Sequence, residues 1–360
     1  MAETINYQNV LNALRQVIDP ELGSDLVSLR MVRDISINES KVSLTLVLTT
    51  DACPLKDDLE QAAREAVLSL PGVDSVHVNV VAEPPSPEQQ VQPKPALPFR
   101  HSIAIASGKG GVGKTTVAVN LAVALAKMGA SVGLLDADIY GPNVPVMMGV
   151  DYLPSVDDGK IKPAEAYGVK LMSIGFLLKP GQPVIWRGPM LHTAISQFLN
   201  DVAWGPLDYV IIDLPPGTGD AQLSLAQLIP LTGGIIVTLP QRVSVEDASR
   251  GLAMFQELKV PILGVIENMS YLEMPDGSRL EIFGSGGGEW LAQHAGVPFL
   301  NSIPMDPQAR IGGDEGKPIV AEHPESPVSQ AITQIAAKLV ETLPAESPLI
   351  RAESARRAGE

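Results

Sequence analysis

The sequence predicts an α/β protein with a mostly parallel sheet covered by helices on both faces, preceded by a small α+β domain. Three observations carry that prediction. Downstream of residue 99, the apolar segments SIAIA, SVGLLD, DYVIID, GGIIVTL and PILGVI alternate with helix-forming runs. Their near-continuous apolar character suits strands buried on both sides, where parallel sheets place them. Residues 82–98, AEPPSPEQQVQPKPALP, are too rich in proline and glutamine to build a core and read as a semi-rigid linker.

In residues 1–81, YQNVLNALRQVID reads as a helix and KVSLTLVLTT as a strand. LKDDLEQAAREAVLSL then reads as a second helix, and VDSVHVNVV as a second strand. Residues 99–343 hold the larger α/β domain, and the polar tail 344–360 is assigned no structure. At 360 residues the chain exceeds the size at which one core stops growing, which agrees with two domains.

Composition removes several functions. With 41 acidic and 26 basic residues the formal charge is −15, which repels phosphate backbones and anionic membrane surfaces. Aromatic residues at 4% leave few platforms on which bases can stack. Neither a nucleic-acid nor a membrane partner is expected, and any phosphate site must be built locally. No basic segment followed by an apolar stretch opens the chain, and no run reaches the roughly 18 apolar residues of a spanning helix, so a cytoplasmic protein is expected. The single cysteine, Cys53, forms no internal disulfide and suits a reducing compartment. The five histidines show no metal-ligand spacing.

Ligands of open parallel sheets bind at the carboxyl ends of the strands. There, after Ser102–Ala106, stands SGKGGVGKTT, which satisfies the Walker A pattern from Gly108 to Thr115 and runs into the helical VAVNLAVALAKMG. Gly110, Gly111 and Gly113 let backbone N–H groups close around phosphate oxygens at a helix N-terminus, with Val112 and Thr116 in the same stretch. Lys114 is placed to contact the β and γ phosphates, and the Thr115 hydroxyl to bind Mg²⁺. The next strand ends in LLDADIYGPN, setting Asp136 and Asp138 beside the phosphates, one to support the magnesium shell and the other to orient attacking water. We assign Asp136 to magnesium and Asp138 to the water. A third strand ends in Asp213, a Walker B carboxylate for magnesium-bound water. Asn268 follows a further strand, either as a strand-end cap or as a nucleotide contact.

The loop GKGGVGKT, with its early lysine Lys109, resembles the deviant Walker A motif of the Mrp/ApbC, nitrogenase-reductase, MinD and ParA group. Together with DADIYGPN, IWRGPM (containing Arg187), DYVIIDLPPGTGD, ENMSY and EIFGSGGGEWLA, it resembles the Mrp/ApbC iron–sulfur cluster carriers from Arg100 to about Leu343. DPELGSDLVSLRMV and TTDACPLKDDLE resemble a PaaD-type iron–sulfur assembly domain, although Arg30 stands where a glycine is usual. The resemblance implies a slow, switch-type ATP hydrolase acting as a homodimer, with ATP and Mg²⁺ as cofactors. It also implies that Lys109 reaches the partner's nucleotide, that Asn268 meets the adenine edge, and that apo iron–sulfur proteins or assembly factors are the partners.

One departure counts against the shared-cluster mechanism. Carriers of this family hold a C-x-x-C pair shortly after ENMSY, but here Met274 and Gly277 occupy those positions, and neither is a thiolate. Cys53 is left either as a small core hydrophobe or as one ligand of a labile iron–sulfur cluster. Two other functions fit parts of the sequence. One is a nucleotide-gated adaptor without metal chemistry, recruiting partners through residues 1–81. The other is a MinD/ParA-like positioning ATPase, which would need a basic amphipathic helix or basic stripe that this chain does not offer.

Overall fold

In a computed structural model of the chain, the described residues are 5–17, 25–27, 29, 31–38, 40–48, 56–82, 98–152, 155–157, 159–177 and 188–345. The chain divides into two compact units, residues 1–96 and 97–360. Cys53, Arg30, Arg187, most of the expected linker and residues 346–360 of the tail lie outside the described residues.

The first unit runs α1 (Tyr7–Leu14), β1 (Val32–Asn38), β2 (Lys41–Leu48), α2 (Lys56–Leu68) and β3 (Ser75–Ala82). The Asn6 side chain caps α1 by accepting the Asn9 N–H at 2.9 Å. The sheet order is β1-β2-β3, antiparallel then parallel, so α2 is the crossover that a parallel pair requires. Val42, Leu44 and Leu46 alternate onto one face of β2, joined by Val76 and Val78 of β3. Leu59, Ala63 and Val67, spaced one helical turn apart on α2, cover them. Strand β1 was not foreseen. Its register shifts between Arg33 and Ser36, where Asp34 adopts φ +51°, and that irregularity spoils the alternation by which strands are read.

The second unit continues with β4 (Phe99–Ala106), α3 (Lys114–Lys127), β5 (Val132–Asp136), α4 (Val144–Met147), a small hairpin of β6 (Val156–Asp157) and β7 (Lys160–Ile161), β8 (Ala164–Ala166), β9 (Val169–Ser173) and α5 (Gly188–Asn200). Next come β10 (Leu207–Asp213), α6 (Asp220–Leu228), β11 (Gly233–Thr238), α7 (Arg242–Glu257), β12 (Ile262–Glu267) and a second hairpin of β13 (Leu272–Glu273) and β14 (Arg279–Leu280). The unit closes with α8 (Gly287–Ala295), β15 (Phe299–Ser302), α9 (Pro307–Glu315), α10 (Ile319–Glu322) and α11 (Pro327–Thr342).

Its eight-stranded sheet has the order β15-β12-β11-β4-β10-β5-β9-β8, parallel throughout except for the edge strand β8. Both faces are buried, as the sequence predicts. On β10, Tyr209 and Ile211 join the core beneath α3 and α11, while Val210 and Ile212 join the opposite core with α5 and α7. All five expected strands are present. Strands β8, β9 and β15 were not foreseen because they are short and carry Glu165, Lys170, Asn301 or Ser302 among their apolar residues. Helix α3 begins at Lys114 itself, three residues before the expected apolar run, which puts the motif's lysine and threonine in the first helical turn.

Candidate functional site

Strands β4, β5, β10 and β12 deliver their carboxyl ends to one place, which is where the sequence motifs converge. The loop after β4 turns into α3 at Gly113, whose φ of +82° is left-handed and suits only glycine without strain. Space requires glycine there as well: a Cβ at Gly113 would lie 2.2 Å from Asn268 Nδ2. Gly108 is constrained from the other side, since its Cβ would fall 2.1 Å from the Asp247 carbonyl carbon of α7. By contrast, Gly111 faces open space, and a Cβ at Gly110 would meet only Pro216 Cβ, at 4.0 Å. No side chain caps the first turn of α3, so its N–H groups are available to an anion.

Lys114 is buried, and its Nζ donates to Asp213 Oδ1 at 2.7 Å and lies 3.5 Å from Asp138 Oδ2. The Thr115 hydroxyl donates to the other oxygen of Asp213 at 2.7 Å. Asp213 is thus held by the two residues that open α3, and it is completely buried. That burial pushes its pKa up, opposed by the Lys114 ammonium and the hydrogen bonds from Lys114 and Thr115. Asp138 accepts the Tyr140 and Gly141 amides on Oδ1, at 3.1 and 3.3 Å, which fixes its carboxylate at the loop's turn.

Asp136 occupies a deeper position. Its Oδ1 accepts the Asp138 N–H at 3.2 Å, while Oδ2 accepts the Val144 N–H at 3.2 Å and the Ser173 hydroxyl at 2.8 Å. The carboxyl therefore closes the loop from Asp136 to Val144 and ties it to the end of β9. Complete burial, and then the charge of Asp213, push its pKa from an ordinary 3.8 up to about 8. The native state thus holds this proton more tightly than the unfolded chain. Its stabilising contribution is fully present below pH 3.8 and is lost as pH rises through about 8. In EDTA, the melting temperature of the wild type is expected to fall between pH 5 and 8 more steeply than that of Asp136→Asn, and parallel curves would refute this.

Asn268 is buried at the end of β12, and its Nδ2 donates to the Val112 carbonyl at 2.8 Å. That bond joins the end of β12 to the loop that precedes α3. Lys109 is half-buried, and its carbonyl accepts the Ser107 hydroxyl at 2.9 Å. Thr116 is the next half-buried residue of α3, whose carbonyl accepts the Asn120 side-chain amide at 2.9 Å. Met274 and Gly277 sit at the tip of the β13–β14 hairpin, where the Gly277 N–H donates to the Met274 carbonyl at 2.8 Å and Gly277 has φ +79°. The run Met-Pro-Asp-Gly is tight-turn chemistry, and a cysteine at 277 would be strained. Ser173 and Glu267 were missed as site residues. The signal for Glu267 was a carboxylate ending an otherwise apolar strand, ahead of the glycine-rich GSGGG.

Thr115, Asp213 and the open glycine cradle form a hard-oxygen and amide donor set that fits a nucleotide triphosphate with Mg²⁺. The magnesium role expected for Asp136 is not supported, because both its oxygens already accept hydrogen bonds from Asp138, Val144 and Ser173. Among the described residues no three His, Cys, Asp or Glu side chains form a metal-binding group, and magnesium held by Thr115 and Asp213 would complete its shell with phosphate and water oxygens.

Residues 98–340 match the model of the NUBPL iron-transfer P-loop NTPases. The chain belongs to that family. Residues 7–80 match a second model, described as an iron–sulfur cluster assembly protein, so the small N-terminal unit has a family of its own. As a member of the NUBPL family the chain is 52% identical over 337 residues to an iron–sulfur cluster carrier protein of Synechocystis, covering 92% of this chain and 96% of that one. A nucleotide-binding protein of Archaeoglobus fulgidus, solved in complex with ADP, is 39% identical with a TM-score of 0.57 over 64% of this chain and 90% of its own. The cell-division ATPase MinD of Pyrococcus furiosus is 25% identical, with a TM-score of 0.52 over 67% of this chain and 99% of its own. The fold and the family expected from the motifs are both confirmed.

Proposed function

We propose that this protein is a dimeric, Mg²⁺-dependent, slow switch-type ATPase that serves iron–sulfur cluster assembly or transfer to apo-proteins. The observation that carries the reading is the convergence of Lys114, Thr115, Asp138 and Asp213 at the N-terminus of α3. Family membership and the cluster-carrier relative support the iron–sulfur side.

The chain's own groups account for the chemistry. The loop amides and Lys114 hold the phosphates, which requires Lys114 to exchange its carboxylate partners for phosphate oxygens of the same charge. Asp138, fixed by two backbone amides, orients the attacking water and takes its proton. Magnesium on Thr115 and Asp213 would neutralise charge on the β and γ phosphates. Asp136 keeps the Asp138 loop in place, and Asn268 supports the phosphate loop from below. The deciding experiment is transfer of a reconstituted cluster to an apo-ferredoxin with and without Mg-ATP. Nucleotide-stimulated transfer supports the reading, and transfer indifferent to nucleotide rejects it.

The cargo itself must be held with few thiolates. One cysteine per chain gives a dimer only Cys53 from each subunit, two short of the four that a four-iron cluster takes. Anaerobic reconstitution is expected to give weak, substoichiometric iron that disappears in Cys53→Ser, read by visible absorption after desalting. Equal, stable clusters in both proteins would place the ligands elsewhere, and none in either would favour the nucleotide-gated adaptor.

A further inference from the structure

We propose that Glu267 is a positioning residue for the phosphate-binding loop, acting through Asn268 by locking the strained turn that aims the asparagine at Val112. This inference rests on the nucleotide-binding reading above.

Glu267 ends β12 and is only 1% exposed, in a strand whose preceding residues Val265 and Ile266 are fully buried hydrophobics. A carboxylate is costly in such a place unless donors meet it. Its Oε2 accepts the Gly288 N–H at 2.7 Å, and its Oε1 accepts the Ser270 hydroxyl at 2.9 Å and the Gly286 N–H at 3.3 Å. Three neutral donors drawn from two segments hold it, which is more than packing alone would require.

Between Glu267 and Ser270 the chain is strained. Met269 has φ +53°, a left-handed conformation that a long side chain disfavours and that persists only where its surroundings enforce it. The main chain is tied on both flanks: Asn268 N–H to the Thr238 carbonyl at 2.8 Å, Ser270 N–H to the Ile303 carbonyl at 3.0 Å, and Ile303 N–H to the Glu267 carbonyl at 2.8 Å. Across the turn the Ser270 hydroxyl reaches back to Glu267, to the carboxylate oxygen Oε1 at 2.9 Å and to the carbonyl at 3.1 Å. The left-handed residue reverses the chain immediately after Asn268, whose amide reaches Val112 at 2.8 Å. Little slack exists there, because Asn268 Nδ2 lies 2.2 Å from the site of a Cβ on Gly113. A shift of the turn therefore reaches the residues that immediately precede Lys114.

Glu267→Gln preserves shape, but its amide nitrogen cannot accept an N–H. We expect it to raise the Kd for Mg-ADP and the KM for ATP about tenfold, with kcat at saturation changed by less than about twofold. Because the effect passes through Asn268, it should largely vanish when Glu267→Gln is added to Asn268→Ala. Ser270→Ala, which removes the hydroxyl that donates to both the carboxylate and the carbonyl of Glu267 and leaves the Gly286 and Gly288 bonds in place, should move Kd in the same direction by less. Calorimetry on the full chain reads all of these. Wild type that fails to bind Mg-ADP would sink the nucleotide-binding reading itself. Wild type that binds while Glu267→Gln binds equally well would overturn the role of Glu267. The same fold-loss in the wild-type and Asn268→Ala backgrounds would overturn the route through Asn268. Should Glu267→Gln fail to fold, Ser270→Ala with wild-type Kd overturns the proposal.

Discussion

Lys114→Ala is expected to abolish Mg-ATP binding measurable by calorimetry, a loss on the order of 10²-fold or more in affinity, as for removal of one partner of a buried charged pair. The geometry explains the size of the effect. Lys114 is the buried cation that meets both Asp213 and Asp138. Without it, a triphosphate would enter beside carboxylates with no ammonium between them. Repulsion would replace attraction. The same change leaves Asp213 completely buried without its ion-pair partner, so the variant should also melt at a lower temperature, and its fold must be checked by circular dichroism. Lys114→Met, which retains most of the side-chain volume, separates lost charge from lost packing. Wild-type affinity in a folded Lys114→Met protein would sink the phosphate-binding assignment.

How much of this site was legible in the sequence depends on what dictated each residue. Gly113, Lys114, Thr115 and Asp213 were legible because local backbone chemistry leaves few alternatives: a left-handed residue, a helix opening, and a charge ending the apolar run of β10. The alternation of buried strands with helices was legible for the same local reason. What escaped depends on contacts distant in the chain. Ser173, which holds Asp136 at 2.8 Å, comes from a strand hidden by its own Lys170. Asn268 could be placed at a strand end, but that its amide would support Val112, 156 residues away, follows only from the sheet order that sets β12 near β4. The family resemblance marks Met274 and Gly277 only as the positions where the carriers hold cysteines. The structure gives the segment its own turn chemistry, with Asp276 Oδ1 accepting the Ser278 N–H at 2.9 Å and the Ser278 hydroxyl at 2.6 Å.

Lys109→Ala should cut ATP turnover by on the order of 10³ while sparing nucleotide binding, the size of effect seen when a cationic finger is removed from a phosphoryl-transfer site. The structure distinguishes the two lysines of the loop. Lys114 is bonded within its own chain to Asp213, whereas the only Lys109 bond among the described residues uses its carbonyl, leaving its ammonium to act elsewhere. If that ammonium serves the partner's nucleotide, Lys109→Ala and the hydrolysis-deficient Asp138→Ala should complement each other. A mixed dimer then holds one complete site, with Asp138 from the first chain and Lys109 from the second. Statistical exchange makes half the dimers mixed, so the mixture should recover roughly a quarter of wild-type turnover. Each variant alone should stay near background. The measurement is phosphate release after equilibration of the two proteins with ATP, and no recovery would show that Lys109 does not cross between subunits.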